Sequence, residues 1–260
     1  MAINSQEILD DALTRLQGIW SSPFPLFRFE LEIKRLEKVI KEHRRRDPVR
    51  AFYLLGLAAT LRESKEEMRA HFNNALNHSG NDPDVRHGFA ACLSRLGFYI
   101  EARKQYEILH NEDPEDLGVL AELIISALAS GRIQDGVRWI SHWSQVNPDR
   151  PFEEAETIEK SGALLEKFGI SDDHVERLQS LAMTILEKER KEIKTINYRG
   201  IPEEDPEWID ANLVVDESDE EEVRRLNGQL NQMLASTPTP RRVAELLVFN
   251  FSSDEAKSVS

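Results

Sequence analysis

The chain has 260 residues, of which 40% are hydrophobic and 31% charged, and this composition excludes a disordered or membrane-embedded protein. No apolar run reaches the roughly 18 residues that span a bilayer, and the first residues lack the layout of a signal peptide. The single cysteine, Cys92, rules out an internal disulfide. We therefore expect a cytoplasmic protein with no membrane partner.

The net charge of −14 is concentrated in the C-terminal part. Residues 1–48 carry 9 basic and 8 acidic side chains, residues 49–150 carry 11 and 14, and residues 151–260 carry 13 and 25. Because a negative surface repels phosphates, we expect no nucleic-acid partner and, if the acidic part binds anything, a basic partner. The simpler interpretation is that the acidity keeps the protein soluble.

Two amphipathic helices are predicted at the start of the chain. Residues 5–20 have an apolar face made of Ile8, Leu9, Ala12, Leu13, Leu16 and Trp20. Residues 26–44 have another, made of Phe29, Ile33, Leu36 and Ile40. The run KEHRRR, residues 41–46, could be a nucleic-acid or targeting patch. Its place at a helix C-terminus, where cations complement the helix dipole, favours a structural role instead.

A period of 34 residues runs through the next part of the chain. The residues that recur at this spacing are Asp113-Pro114 with Asn147-Pro148, Gly97 with Gly131, and Phe72 with Tyr106 and Ile140. Three units follow, 49–82, 83–116 and 117–150. The pattern of each unit predicts a helical hairpin, in which small residues lie where the two helices cross and an aromatic side chain packs beside those small residues. A single hairpin cannot cover its apolar face, so the units are expected to stack.

These units resemble the tetratricopeptide repeat (TPR), a family with a period of about 34 residues and a W-x2-L-G-x2-Y, A, F, P signature. The matching residues are Phe52, Leu55, Gly56, Phe72 and Ala75 in the first unit, Phe89, Ala90, Leu93, Ala102, Tyr106 and Pro114 in the second, and Leu120, Leu123, Ala127, Gly136 and Pro148 in the third. The resemblance implies an α-solenoid, and with it a role in protein–protein interaction.

The resemblance also implies a concave groove lined by the first helix of each unit. Its apolar positions here are Tyr53, Leu54, Leu57, Leu61, Ile125 and Leu128, and its polar ones are His87, Arg95 and Glu122. An exposed apolar trough of this kind is expected to hold an apolar helix or extended segment, either from another protein or from this chain itself. The alternative is that neighbouring helices pack closely enough to leave no trough.

The C-terminal part is predicted as one more helical pair followed by a small α/β element. The helices are residues 152–168 and 172–193, which would cap a solenoid spanning 1–193. The α/β element covers residues 194–251. Apolar and polar residues alternate in WIDANLVVD, which predicts a strand, and Ser218 with Glu221 predicts a capping box at the start of a helix. The segment VAELLVFNF (243–251) predicts a second strand, parallel to the first.

Three further expectations concern this α/β element. The segment TINYRGI (195–201) is a candidate for a third strand, and residues 252–260 are predicted to be a disordered tail. A sheet this small is marginal alone, so we expect it to dock on the helices through Leu213, Val215, Leu226, Leu230 and Val248. The eleven acidic residues between Glu203 and Glu222 are then expected to face solvent and to be available to a basic partner.

No motif in the sequence names a reaction. There is no glycine-rich phosphate loop, G-x-S-x-G elbow or H-E-x-x-H pair, and we expect no catalytic residue, metal or cofactor. His71 and His78 share a helix face without a third ligand, and Cys92 is expected to be a buried structural thiol. The sequence thus favours an adaptor, assembly chaperone or regulatory subunit. The alternative is an enzyme or an immunity-type protein whose activity lies in residues 195–251.

Overall fold

The structure is a computed structural model that describes residues 4–189, 191, 193–201, 207–216 and 218–253. It is mostly helical with a small three-stranded sheet near the C-terminus, which confirms the predicted fold class at this level. The chain divides into two compact units, Met1–Asp113 and Pro114–Ser260, here called unit 1 and unit 2. The boundary between the units differs from the 193/194 boundary that the sequence predicts, because the four helices between Leu117 and Glu189 lie in the same compact unit as the α/β element.

Unit 1 consists of six α-helices and one short 3-10 helix among its described residues. They are α1 (Ser5–Trp20), the 3-10 helix (Leu26–Phe29), α2 (Glu30–His43), α3 (Pro48–Leu61), α4 (Lys65–Ser79), α5 (Pro83–Arg95) and α6 (Tyr99–Glu112). The two helices predicted from residue 5 and residue 26 are both present. The second begins with the 3-10 turn, because Pro23 and Pro25 restrict the backbone before it.

The described residues of unit 2 form six α-helices and three strands. They are α7 (Leu117–Ala129), α8 (Ile133–Val146), α9 (Ala155–Phe168), α10 (Asp172–Glu189), β1 (Ile193–Ile201), β2 (Trp208–Val215), α11 (Glu220–Ser236), α12 (Arg241–Leu246) and β3 (Leu247–Ser253). The helix predicted for residues 172–193 ends early, at Glu189, because the chain has already become extended at Ile193.

The 34-residue period is visible in the local structure of the three predicted hairpins. The first helix of each begins after an aspartate, Asp47, Asp82 or Asp116, whose side chain accepts a hydrogen bond from a backbone N–H of the first turn. The turn between the two helices contains one residue in the left-handed region, at Glu63 (φ 56°), Gly97 (φ 77°) and Gly131 (φ 81°). Start and turn signals therefore recur in register, each set by a specific residue.

Within unit 1 the helices of a hairpin cross closely where the sequence places small residues. The ring of Phe72 lies so near Gly56 that a Cβ on this glycine would come within 2.6 Å of it. Phe72, Ala75, Ala102 and Tyr106 are each 0% exposed. The predicted pairing of a small residue with an aromatic side chain is confirmed for the first hairpin, and in the second the corresponding residues are buried.

The sheet in unit 2 has the order β1-β2-β3, with β1 antiparallel and β3 parallel to β2. The parallel pair joined through a helix and the third strand were both predicted. Ile209, Ala211, Leu213 and Val215 are at most 1% exposed and join one hydrophobic core with side chains from α7 to α12. The element is therefore docked on helices of its own unit, as expected for a sheet too small to be stable alone.

Four details of this element differ from the prediction. Asp219, not Ser218, caps α11, because its side chain accepts from the N–H of Glu222 at 2.8 Å. Residues 243–246 belong to α12 and only the following residues form β3. Val248 is 41% exposed, so it lies on the face of the sheet opposite to the core. Ser252 and Ser253 lie in β3, while residues 254–260 of the predicted tail, and 203–206 and 217 of the acidic run, fall outside the described residues.

Candidate functional site

The three leucines predicted to line the groove in unit 1 belong to its core. Leu54 is 0% exposed, Leu61 2% and Leu57 9%. All three lie on α3, which packs against α1, α2, α4 and α5. An open apolar trough at these positions is therefore a wrong expectation, because the apolar surface is already covered within the unit.

Tyr53, the fourth predicted position on α3, fills the space between two hairpins. Its ring lies edge-on to Phe72, with centroids 5.5 Å apart, and directly over Gly88, where a Cβ would come within 2.4 Å of it. Burial raises the pKa of the Tyr53 phenol. The side chain is half-buried and serves as packing between α3 and α5.

The segment that lies on α3 includes the first helix of the same chain. α1 packs against α2 and α3 through a buried stripe made of Leu9, Ala12, Leu16 and Ile19. Ion pairing reinforces this contact, since Arg50 at the start of α3 donates to Asp10 of α1. Of the occupants that the sequence left open, the chain's own segment is the one found in unit 1.

The two polar groove positions of unit 1 are exposed, but they face different neighbours. The guanidinium of Arg95 lies 4.3 Å from the ring centroid of Trp20 and donates to the Trp20 carbonyl at 3.4 Å, so it helps to hold the end of α1. The His87 ring lies edge-on to Tyr106 with centroids 5.8 Å apart.

In unit 2, α7 carries the remaining three predicted residues. Ile125 is 50% exposed and is the one apolar member of the predicted set with a largely open side chain. Leu128 is half-buried because it packs against Gly136, where a Cβ would come within 2.8 Å of it. Glu122 is half-buried on the same helix. One exposed isoleucine is too little to form a groove.

The largest exposed apolar side chains in the described chain lie elsewhere, before and at the start of α2. Phe27 is 74% exposed, Leu31 71% and Phe24 55%. These side chains are not among the predicted binding residues, because the apolar pattern of α2 is dominated by its buried stripe of Ile33, Leu36 and Ile40. The sequence does contain a signal for this exposed site. Phe27 and Leu31 are apolar and four residues apart, and they lie on the face of the helix opposite to the buried stripe.

The described residues contain no evident reactive centre. Cys92 is 0% exposed, and burial raises the pKa of its thiol to about 12, so it remains protonated and unreactive at neutral pH. His71 and His78 both lie against the ring of Phe52, at 6.1 and 5.6 Å between centroids. Among the residues that the structure places, no three side chains of the types that bind metals are grouped to hold an ion.

The most extensive polar cluster of unit 2 is structural. Both carboxylate oxygens of Asp172 accept backbone N–H groups at the start of α8, from Gln134 at 2.9 Å and Asp135 at 3.0 Å. Arg132 pairs with Asp135 at 2.7 Å and with Asp173 at 2.5 Å. Because these groups satisfy one another, the cluster joins α8 to α10 and leaves no acid or base directed at a substrate.

Comparison with models of protein families, with curated proteins and with solved structures finds no match to this chain. Within the described part of the chain, no helix combines the length and the apolar character that a membrane crossing requires.

Proposed function

We propose that the protein is an interaction module, an adaptor, assembly chaperone or regulatory subunit, built as an α-solenoid of TPR-like hairpins. The observation that carries the proposal is the 34-residue recurrence of helix caps and left-handed turn residues, at Asp47, Asp82 and Asp116 and at Glu63, Gly97 and Gly131. Stacked hairpins of this kind form extended surfaces suited to binding other proteins.

Two further observations support a binding role over a catalytic one. The buried carboxylate of Asp172 accepts two backbone N–H groups of α8, and Arg132 pairs with Asp135, so this polar cluster of unit 2 is engaged in structural contacts. Large apolar side chains are exposed at Phe27 and Leu31, and exposed apolar patches in soluble proteins commonly mark interaction sites.

The burial of Leu54, Leu57 and Leu61 changes where the partner is proposed to bind. In unit 1 these leucines of α3 are part of the core, so a partner cannot reach them without displacing helices of the same unit. Apolar partner segments are therefore proposed to bind on surfaces that remain exposed.

Affinity capture of the tagged full chain from its native cell, followed by mass spectrometry and by reconstitution from purified components, tests this function. We expect at least one protein to co-purify in stoichiometric amount and to bind the purified chain directly. Failure to reconstitute any captured candidate with the purified chain would contradict the proposal.

The alternative from a different class, an enzyme or immunity-type protein acting through residues 195–251, has one observation in its favour. On the sheet face opposite to the core, Asp210 accepts from Asn250 at 2.6 Å, and Asn212 has a buried side-chain oxygen without a hydrogen-bond partner. If this face were the active site, Asn212→Ala and Asp210→Asn would abolish function in cells while leaving partner capture intact.

A further inference from the structure

We propose that the outer face of α2 and the turn before it form the docking surface for a helical protein segment that carries apolar side chains followed by acidic ones. This surface, here called the α2 outer surface, consists of Phe24, Phe27, Leu31, Arg35, Lys38 and Arg45. The inference rests on the proposed function and names its site and the chemistry of its partner.

The apolar end of this surface is large, and Phe24 within it is restricted by its neighbours. Phe27 and Leu31 are more than 70% exposed, and Phe24 is 55% exposed between Pro23 and Pro25, which fix the backbone on either side of it. The Arg28 guanidinium lies 5.2 Å from the centroid of the Phe24 ring. A pre-ordered apolar group loses little conformational entropy on binding, which favours its use as an anchor.

Basic side chains extend the surface along the helix from Leu31. Arg35 and Lys38 follow at spacings of four and seven residues, so they lie on the same side of α2, about 10 Å along its axis for Lys38. Arg45 is exposed in the turn after the helix. No ion pair of Arg35, Lys38 or Arg45 occurs among the described residues, and these cations are free to meet a partner's carboxylates.

This basic character stands out against the rest of the chain. Residues 24–46 contain eight basic and four acidic side chains, whereas the whole chain carries a net charge of −14. Residues 1–113 contain 17 basic and 17 acidic side chains, so unit 1 is neutral and the whole excess of negative charge belongs to unit 2. The local positive charge therefore complements an acidic ligand, and the apolar end supplies the contact area.

The acidic side chains within the surface favour a protein over an anionic membrane. Glu30, whose side chain is 59% exposed, lies next to Leu31 and pairs with Lys34, and Glu42 is exposed beside Lys38. A membrane would bring phosphates close to both carboxylates, whereas the side chains of a helical segment can be spaced to avoid them. The opposite face of α2 is already buried through Ile33, Leu36 and Ile40, which leaves the outer surface as the free one.

The probe for this proposal is a displayed library of random 20-residue peptides selected on the immobilised full chain, with affinities of synthetic winners measured by fluorescence anisotropy. We expect the selected peptides to combine apolar residues at one end with acidic residues at helical spacing. Phe27→Ser with Leu31→Ser should weaken their binding about tenfold or more, and so should Lys38→Glu with Arg45→Glu. Binding should also weaken with added salt.

Matched controls separate this site from other surfaces. Ile125→Ser removes an exposed apolar side chain from α7, and Lys104→Glu with Lys188→Glu makes the same change of charge at two other exposed positions. Both should leave peptide affinity unchanged. All variants change exposed side chains, so circular dichroism and thermal unfolding should match the parent, which excludes misfolding as the cause of lost binding.

Several results would overturn the inference. Peptides without acidic bias, an absence of selected peptides, or binding that survives both α2 variants would each do so. Loss of binding in Ile125→Ser alone would move the site to α7 and leave the protein-binding function standing. Vesicles of phosphatidylcholine with about 30% phosphatidylserine should not bind, and capture by them that depends on Phe27 and Leu31 would assign the surface to a membrane. Dimerisation of the chain lost in the same variant would assign it to a second copy.

Discussion

Gly56 has no side chain at the point where α3 meets the ring of Phe72, and this absence has a measurable energetic consequence. A Cβ there would lie 2.6 Å from a ring that is itself 0% exposed, so neither group can move aside. Gly18, on α1, has no atom within 4 Å of its Cβ position. These two helical glycines allow the effect of packing to be separated from that of helix propensity.

Gly56→Ala should destabilise the protein by about 1–3 kcal/mol, because the added methyl group overpacks the crossing of α3 and α4. Gly18→Ala should stabilise it by about 0.5–1 kcal/mol, since alanine is the better helix former and meets no obstacle. Urea unfolding of the two variants checks both signs. Equal effects at the two positions would show that the close crossing of α3 and α4 does not exist.

Leu57 and Ile125 were predicted to share one apolar trough, but their burial differs, so the same substitution should affect them differently. Leu57→Glu places a carboxylate at a position that is 9% exposed and should cost more than about 3 kcal/mol. Ile125→Glu, at 50% exposure, should change stability by about 0.5 kcal/mol or less. Thermal unfolding of the two variants is the measurement. If the Leu57→Glu protein were as stable as its parent, Leu57 would not be a core residue and the predicted open trough would stand.

His71 should make the stability of the protein depend on pH. Burial lowers the pKa of this imidazole below its ordinary value, and its Nδ1 is buried without a hydrogen-bond partner. The unfolded chain therefore binds a proton more readily than the folded one between the lowered pKa and about 6.5, and the free energy of unfolding should rise with pH across that interval. The slope should be smaller in His71→Gln when chemical unfolding is measured at several pH values. An unchanged slope would contradict this role of His71.

At the scale of elements, the strongest sequence signals were those set by a single residue or a strict period. Gly97 and Gly131, which recur 34 residues apart, mark the turns of two hairpins because each occupies the left-handed region there. The structure adds Asp82 and Asp116 as the helix caps that set the starts of two hairpins. The segment 241–253 was harder, because its β-forming residues begin before the strand does. Residues 241–246 form a helical turn after Pro240, which the propensity of the side chains does not reveal.

The contact between α11 and β3 depends on one amide. Asn227 donates to the Phe251 carbonyl at 2.9 Å and accepts from the Phe251 N–H at 2.8 Å, so it satisfies both backbone groups at an edge strand. Asn227→Ala should destabilise unit 2 by about 1–3 kcal/mol, because Phe251 is 2% exposed and water cannot easily replace the amide.

Asn231, exposed one turn further along α11, is the matched control for this prediction. Asn231→Ala should leave both stability and hydrogen exchange unchanged, whereas Asn227→Ala should speed amide exchange in β3. Equal exchange in the two variants would mean that the edge of β3 is held by other contacts.

At the scale of the whole molecule, the sequence predicts the composition of the fold better than the location of the binding surface. Apolar residues at helical spacing identify buried stripes such as Ile33, Leu36 and Ile40, because that spacing places them on one face of the helix. Whether a further helix covers a given face is decided by tertiary packing. The covering of α3 by α1 could therefore not be read from the residues of α3, and the exposure of Phe27 and Leu31 became visible only once the packing of unit 1 was known.

We propose that the protein binds another protein through the α2 outer surface, and quantitative co-purification from the native cell with three versions of the full chain tests this. These are the parent, Ile125→Ser, and Phe27→Ser with Leu31→Ser, compared at equal expression and with equal thermal stability. We expect a reconstitutable partner to be retained by the parent and by Ile125→Ser and to be lost from the Phe27 and Leu31 variant. Retention by all three, or loss from Ile125→Ser alone, would contradict it.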